Sequence, residues 1–87
     1  MRLEGKIFKA NLMIQDVVIE YKNDALPFVK ELETALVQTC RSLEIPIPLW
    51  LSKNTHEFAA FRQTVFFADQ FTEKVRFDRF QIKMGEL

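Results

Sequence analysis

Residues 6–22, KIFKANLMIQDVVIEYK, decide the fold. Phe8, Ala10, Leu12 and Ile14 alternate with other residues on one side, and Val17, Ile19 and Tyr21 resume the alternation after Gln15-Asp16. A period of two marks a half-buried β-strand. A two-residue turn at Gln15-Asp16 sets Ile14 opposite Val17, Leu12 opposite Ile19 and Ala10 opposite Tyr21, which gives a hairpin with one apolar face. A turn at Ala10-Asn11 competes, because Asn tolerates the left-handed region. That register sets Lys9 opposite Leu12 and Gly5 opposite Asp16, a poorer match, since register decides which face every side chain occupies. The first register is expected. The second face of this hairpin is not purely polar, because Ile7, Met13 and Val18 lie among Lys9, Asn11 and Glu20.

Downstream, the period changes to that of a helix over 24–44. Phe28, Val29, Leu32, Ala35, Leu36, Thr39, Cys40 and Leu43 fall on one stripe at 100° per residue, with Lys30, Glu31, Thr34, Gln38, Arg41 and Ser42 opposite. Asp24 is the expected N-cap, and Pro27 falls in the first turn, where its missing N–H does little harm. Leu26 and Val37 lie off the stripe and read as scattered surface apolars. Ile45-Pro46-Ile47-Pro48 ends the helix, because a residue before proline is pushed out of the α region. Leu49-Trp50-Leu51 continues extended, Ser52-Lys53 reads as a turn, and Asn54 reads as the cap of a shorter helix with Glu57 in the capping-box position. Phe58, Phe61 and Val65 share that helix's inner side. Val65-Phe66-Phe67 reads equally as a short strand or as the end of the helix. Residues 74–84 read as a strand whose alternation changes phase between Phe77 and Phe80, so a bulge is expected near Asp78-Arg79. Strands before and after helices give an α+β fold, with a small and mostly antiparallel sheet packed by one long amphipathic helix and one short one, as a single domain over 1–87.

Composition bounds the function. The chain has 87 residues, 48% of them hydrophobic, including nine Phe, and only two Gly. That is enough apolar surface to build a core in a small domain. Twelve basic and twelve acidic residues cancel, whereas phosphate neutralisation favours a basic excess in nucleic-acid binders. No apolar run is long enough for a membrane span, the N-terminus lacks the apolar stretch of a signal peptide, and the lone Cys40 cannot form an internal disulfide. A cytoplasmic protein is expected.

Catalytic and metal-binding apparatus is not legible. One His and one Cys fall short of a zinc ligand set, and glycines at positions 5 and 85 alone make no phosphate loop. His56 has no nameable orienting partner or nucleophile, so its general-base reading gives way to that of a surface helix residue. Cys40 lies near a helix C-terminus, where the dipole disfavours thiolate, and reads as a buried small hydrophobe. No catalytic residue, cofactor or metal is expected. The stretch 50–80 is the most suggestive. Trp50, Lys53, His56, Arg62, Arg76 and Arg79 interleave there with phenylalanines and form the candidate binding surface. Such interleaving can bind single-stranded nucleic acid by stacking, but helical and strand spacing already explains most of the Phe positions as core.

Trp50-Leu51-Ser52-Lys53-Asn54-Thr55-His56-Glu57-Phe58, with Asp69-Gln70-Phe71 and Phe77-Asp78-Arg79-Phe80, resembles a small uncharacterised protein family of Gram-positive, clostridia-like bacteria. The resemblance covers the C-terminal half. It implies a bacterial protein, and no activity or site residue.

The leading expectation is a non-enzymatic binding or assembly module that meets a protein partner or self-associates as a homodimer. Its ground is apolar residues on both faces of two strands, more than one helix stripe can cover. A single-stranded nucleic-acid-binding domain using Lys53, Arg62, Arg76 and Arg79 is the first alternative, and a small enzyme using His56 the second.

Overall fold

The computed structural model of the chain describes residues 1–85. Strands β1 (Arg2–Lys9) and β2 (Leu12–Glu20) are followed by helices α1 (Phe28–Leu43) and α2 (Ser52–Phe61). Strand β3 (Gln63–Phe67), a 3₁₀ turn at Ala68–Gln70 and strand β4 (Arg79–Gly85) complete the order. All strand pairings are antiparallel, in the order β2-β1-β4-β3. The fold is α+β, as the alternation and helical stripe predict.

The hairpin turn lies at Ala10-Asn11, not at Gln15-Asp16. Lys9 pairs with Leu12 and Gly5 with Val17, and a bulge between Ile7 and Phe8 shifts the register by one residue, with Ile14 as the extra one. The bulge restores the apolar match that a continuous ladder from this turn would lose: Leu3 meets Ile19 and Gly5 meets Val17. Ala10 and Asn11 have φ of 50° and 66°, the positive values a two-residue hairpin turn needs. Alanine is strained there, and the strain is offset from afar. Asp78 accepts a hydrogen bond from the Ala10 N–H at 2.7 Å, and its own N–H donates to the Phe8 carbonyl.

One sheet face carries Leu3, Gly5 and Ile7 of β1, Phe80 and Ile82 of β4, and Thr64 and Phe66 of β3, all buried. Both helices pack on this face. The predicted stripe of α1 is buried from Leu32 through Ala35, Leu36, Thr39 and Cys40 to Leu43. It crosses β1 at Gly5, where an added Cβ would stand 2.5 Å from Thr39 Cγ2, so only a residue without a side chain allows this approach. Helix α2 adds Phe58 to the same core.

The helix ends differ from expectation. Pro27, with extended backbone, is the residue before α1, and Asp24 is exposed and caps nothing. Asn23 organises the entry instead. Its side-chain oxygen accepts from the Ala25 N–H, and its N–H donates to the Glu31 carboxylate. At the other end Glu44 is left-handed, the Ile45 N–H reaches the Cys40 carbonyl and the Glu44 N–H reaches the Arg41 carbonyl. These two bonds make the Schellman arrangement, with a residue other than the favoured glycine. Ser52 and Lys53 belong to α2 rather than to a turn, and the capping roles are reversed: Asn54 is in the third helical position, and its side chain accepts from the Leu51 N–H. Residues 63–67 are strand. β4 begins only at Arg79, so no bulge is needed at Asp78-Arg79; irregular chain turns both Phe77 and Phe80 inward.

Candidate functional site: an apolar groove between the helices

A groove of about 630 Å³ separates α1 from α2. Its floor is Leu32 and Leu36 of α1 with Phe58 of α2, which are buried. One wall is the first turn of α1, where Phe28 and Val29 are 51% and 63% exposed. The other is the extended segment with Ile47, Pro48 and Trp50. The local causes are in the sequence. The stripe starts at Phe28, but the core reaches only to Leu32, so the first turn stands clear of it. Pro46 and Pro48 keep their neighbours extended, which leaves Ile47 exposed beside buried Pro48.

The walls are fixed by a buried polar network. Asn54, fully buried, accepts from the Leu51 N–H and from Gln70 Nε2, and donates to Thr64 Oγ1 and the Val65 carbonyl at 2.8 and 3.0 Å. Gln70 also donates to the Leu49 carbonyl and accepts from the Phe67 N–H. Thr64 donates in turn to the Glu57 carboxylate. Among the described residues no buried side-chain polar atom lacks a partner, so the network is satisfied and rigid. Trp50 packs edge-on against Phe58 at 5.8 Å and tilted against Phe66 at 5.5 Å, and its indole N–H donates to Thr55 Oγ1. The groove is therefore preformed, apolar and sparsely polar, as ligand and peptide sites are.

The basic residues singled out with Trp50 are dispersed around a different surface. Arg79 lies on the outer sheet face, paired in register with Phe8 on one side and Phe67 on the other, and its guanidinium sits 4.3 Å from the Phe8 ring centre. Lys53 sits 4.6 Å from the Phe67 ring centre. Phe8, Arg79, Phe67 and Lys53 thus form one row of alternating rings and cations. Arg76 is elsewhere, donating to the Gln15 side chain. Arg62 follows α2 in left-handed backbone, its N–H on the Phe58 carbonyl. His56 is exposed on α2, outside the groove lining.

Four expectations about apolar residues need correction. Phe28 and Val29 belong to the groove wall rather than the core. Phe61, placed on the inner side of α2, is 68% exposed. Val65 lies on the outer sheet face, because inner Thr64 and Phe66 flank it. Val37, read as a scattered surface apolar, lines the groove; its position off the stripe but next to Leu36 was the available signal.

Chemically reactive groups are not assembled in the groove. Cys40 is buried on the far part of α1, and desolvation pushes its thiol from 9.0 up to about 12, which removes thiolate at neutral pH. Among the described residues no group of three or more His, Cys, Asp or Glu could hold a metal ion, and no helix is long and apolar enough to cross a membrane. No family model, no curated protein and no solved structure matches this chain.

Proposed function

We propose that this domain is a non-enzymatic binding module whose groove receives the apolar face of an amphipathic helix from a partner protein. The observation that carries it is the exposure of Phe28, Val29 and Ile47 around a floor that is otherwise core. A helix laid between α1 and α2 would fill the gap in the helical layer, as in other helix-in-groove recognition. Glu33 on the rim, ion-paired with Lys30 at 3.3 Å, favours a partner helix that carries lysines beside its apolar stripe. The free, buried Cys40 and the absence of any disulfide among the described residues suit a cytoplasmic setting for this role.

Calorimetric titration with a designed leucine-lysine helical peptide tests the reading. Saturable binding with a negative heat-capacity change, the mark of apolar burial, is expected for the wild type and lost in Val29→Glu. Val29→Glu leaves stability within about 0.5 kcal/mol, since the site is a surface one. Heat-capacity changes that persist in Val29→Glu would place binding elsewhere.

The ring–cation row on the outer sheet face favours a second reading, single-stranded nucleic-acid binding. It predicts binding that weakens steeply with salt and is lost in Arg79→Gln, measured by oligonucleotide anisotropy. Absence of binding at about 50 mM salt, where phosphate contacts are strongest, would end this reading.

A further inference from the structure

Strand β2 is one of the two edges of the sheet, and it carries little of the usual protection of an edge. Its nine residues, LMIQDVVIE, contain no Lys or Pro, and Asp16 and Glu20 are their only charges, a thin share of the devices that ordinarily discourage strand pairing. Leu12, Met13, Ile14 and Val18 are exposed. The bulge blunts only the hairpin end, and residues 15–20 pair with β1 without interruption.

The backbone of that regular stretch points outward in a definite way. Met1 and Tyr21 exchange both backbone hydrogen bonds. Antiparallel pairs alternate between hydrogen-bonded and non-hydrogen-bonded. Leu3–Ile19, Gly5–Val17 and Ile7–Gln15 are therefore the hydrogen-bonded pairs, and the N–H and C=O groups of Asp16, Val18 and Glu20 face the open edge. We propose that two copies of this chain join through β2, antiparallel about Val17, to form one eight-stranded sheet.

Charge and face choose the register. A twofold centred on Asp16 sets two carboxylates opposite each other, and one centred on Val18 sets Asp16 opposite Glu20; like charges directly opposite are unfavourable. Centring on Val17 sets Asp16 opposite Val18, so that the outward-facing groups of both bond across the interface. It also sets Gln15 opposite Ile19 on the inner face. Val17, half-buried on that face, then meets its own copy, and half-buried Ile19 is covered by Gln15 of the other chain. The interface is isologous and closes at two subunits. It is independent of the groove, which α1 and α2 build on the inner side.

Light scattering at about 100 µM, where even weak complexes form, is expected to give twice the chain mass of 10.3 kDa. Val18→Glu, which sets a second carboxylate opposite Asp16 and whose fold is checked by circular dichroism, is expected to return the monomer, and Val29→Glu in the groove to leave the dimer intact. Val17→Cys tests the register. Non-hydrogen-bonded partners sit about 4.5 Å apart at Cα, within disulfide range, so this variant is expected to cross-link between chains in air while buried Cys40 stays reduced. A monomer throughout, or a dimer that survives Val18→Glu, or one that dissociates in Val29→Glu, or one whose Val17→Cys form does not cross-link, would overturn the proposal.

Discussion

At the scale of single residues, Asn54 decides more of this structure than any charged group. Its amide joins the start of α2, β3 and the 3₁₀ turn, and each of its four hydrogen bonds is made inside the protein. Asn54→Ala leaves the Leu51 N–H and one Gln70 amide hydrogen without their partner and is expected to lower unfolding free energy by about 3 kcal/mol, read from urea midpoints. Position 54 was legible as a helix-start residue, because Asn and Asp favour such sites. Its reach to Gln70 was not, because no local pattern reports a bond across sixteen positions. Cys40 was read correctly as a small buried hydrophobe. Its raised thiol gives a pH signature. The folded state holds this proton more tightly than the unfolded chain, so the stability it contributes is fully present below pH 9.0 and is lost as pH rises toward about 12. Cys40→Val is expected to show a shallower decline over that window, and native Cys40 to resist thiol reagents at neutral pH. Equal alkaline slopes for the two proteins would contradict this.

At the scale of elements, the helical stripe of α1 was legible from Leu32 to Leu43, since six residues at one period outweigh any single exception. Its ends were not. Asn23 and Glu31 order the entry to α1, no side chain caps it where Asp24 was expected to, and the outcome depends on how the chain leaves β2. The hairpin turn was misplaced for a related reason. Ala10 at φ 50° is locally unfavourable, and Asp78, from the other end of the chain, holds it. Glu44 at the end of α1 is a similar strained residue in a position that suits glycine. Glu44→Gly is expected to raise stability by about 1 kcal/mol, checked by the urea midpoint. A loss of stability would show that the glutamate side chain contributes there through contacts that outweigh the backbone strain.

At the scale of the whole molecule, a sheet with both helices on one side leaves three surfaces: the groove, the ring–cation row and the β2 edge. That some apolar surface would remain bare was legible from the two-sided strands. That the groove would be one such place was not, because Phe28 and Val29 carry the period of a core stripe, and only the distance between helices shows that the core stops at Leu32. Five phenylalanines, at 58, 66, 71, 77 and 80, fill the interior. Those at 28, 61 and 67 are exposed, and one of them stands in the groove wall. Trp50 is the sole tryptophan and lines that groove, so its fluorescence reports the groove and nothing else. Titrating the leucine-lysine helical peptide into the protein is expected to shift Trp50 emission to shorter wavelength and shield it from acrylamide, with no change for a scrambled peptide. Emission and quenching that stay constant to about 100 µM peptide, a concentration that would reveal even weak association, would contradict the groove as the binding surface.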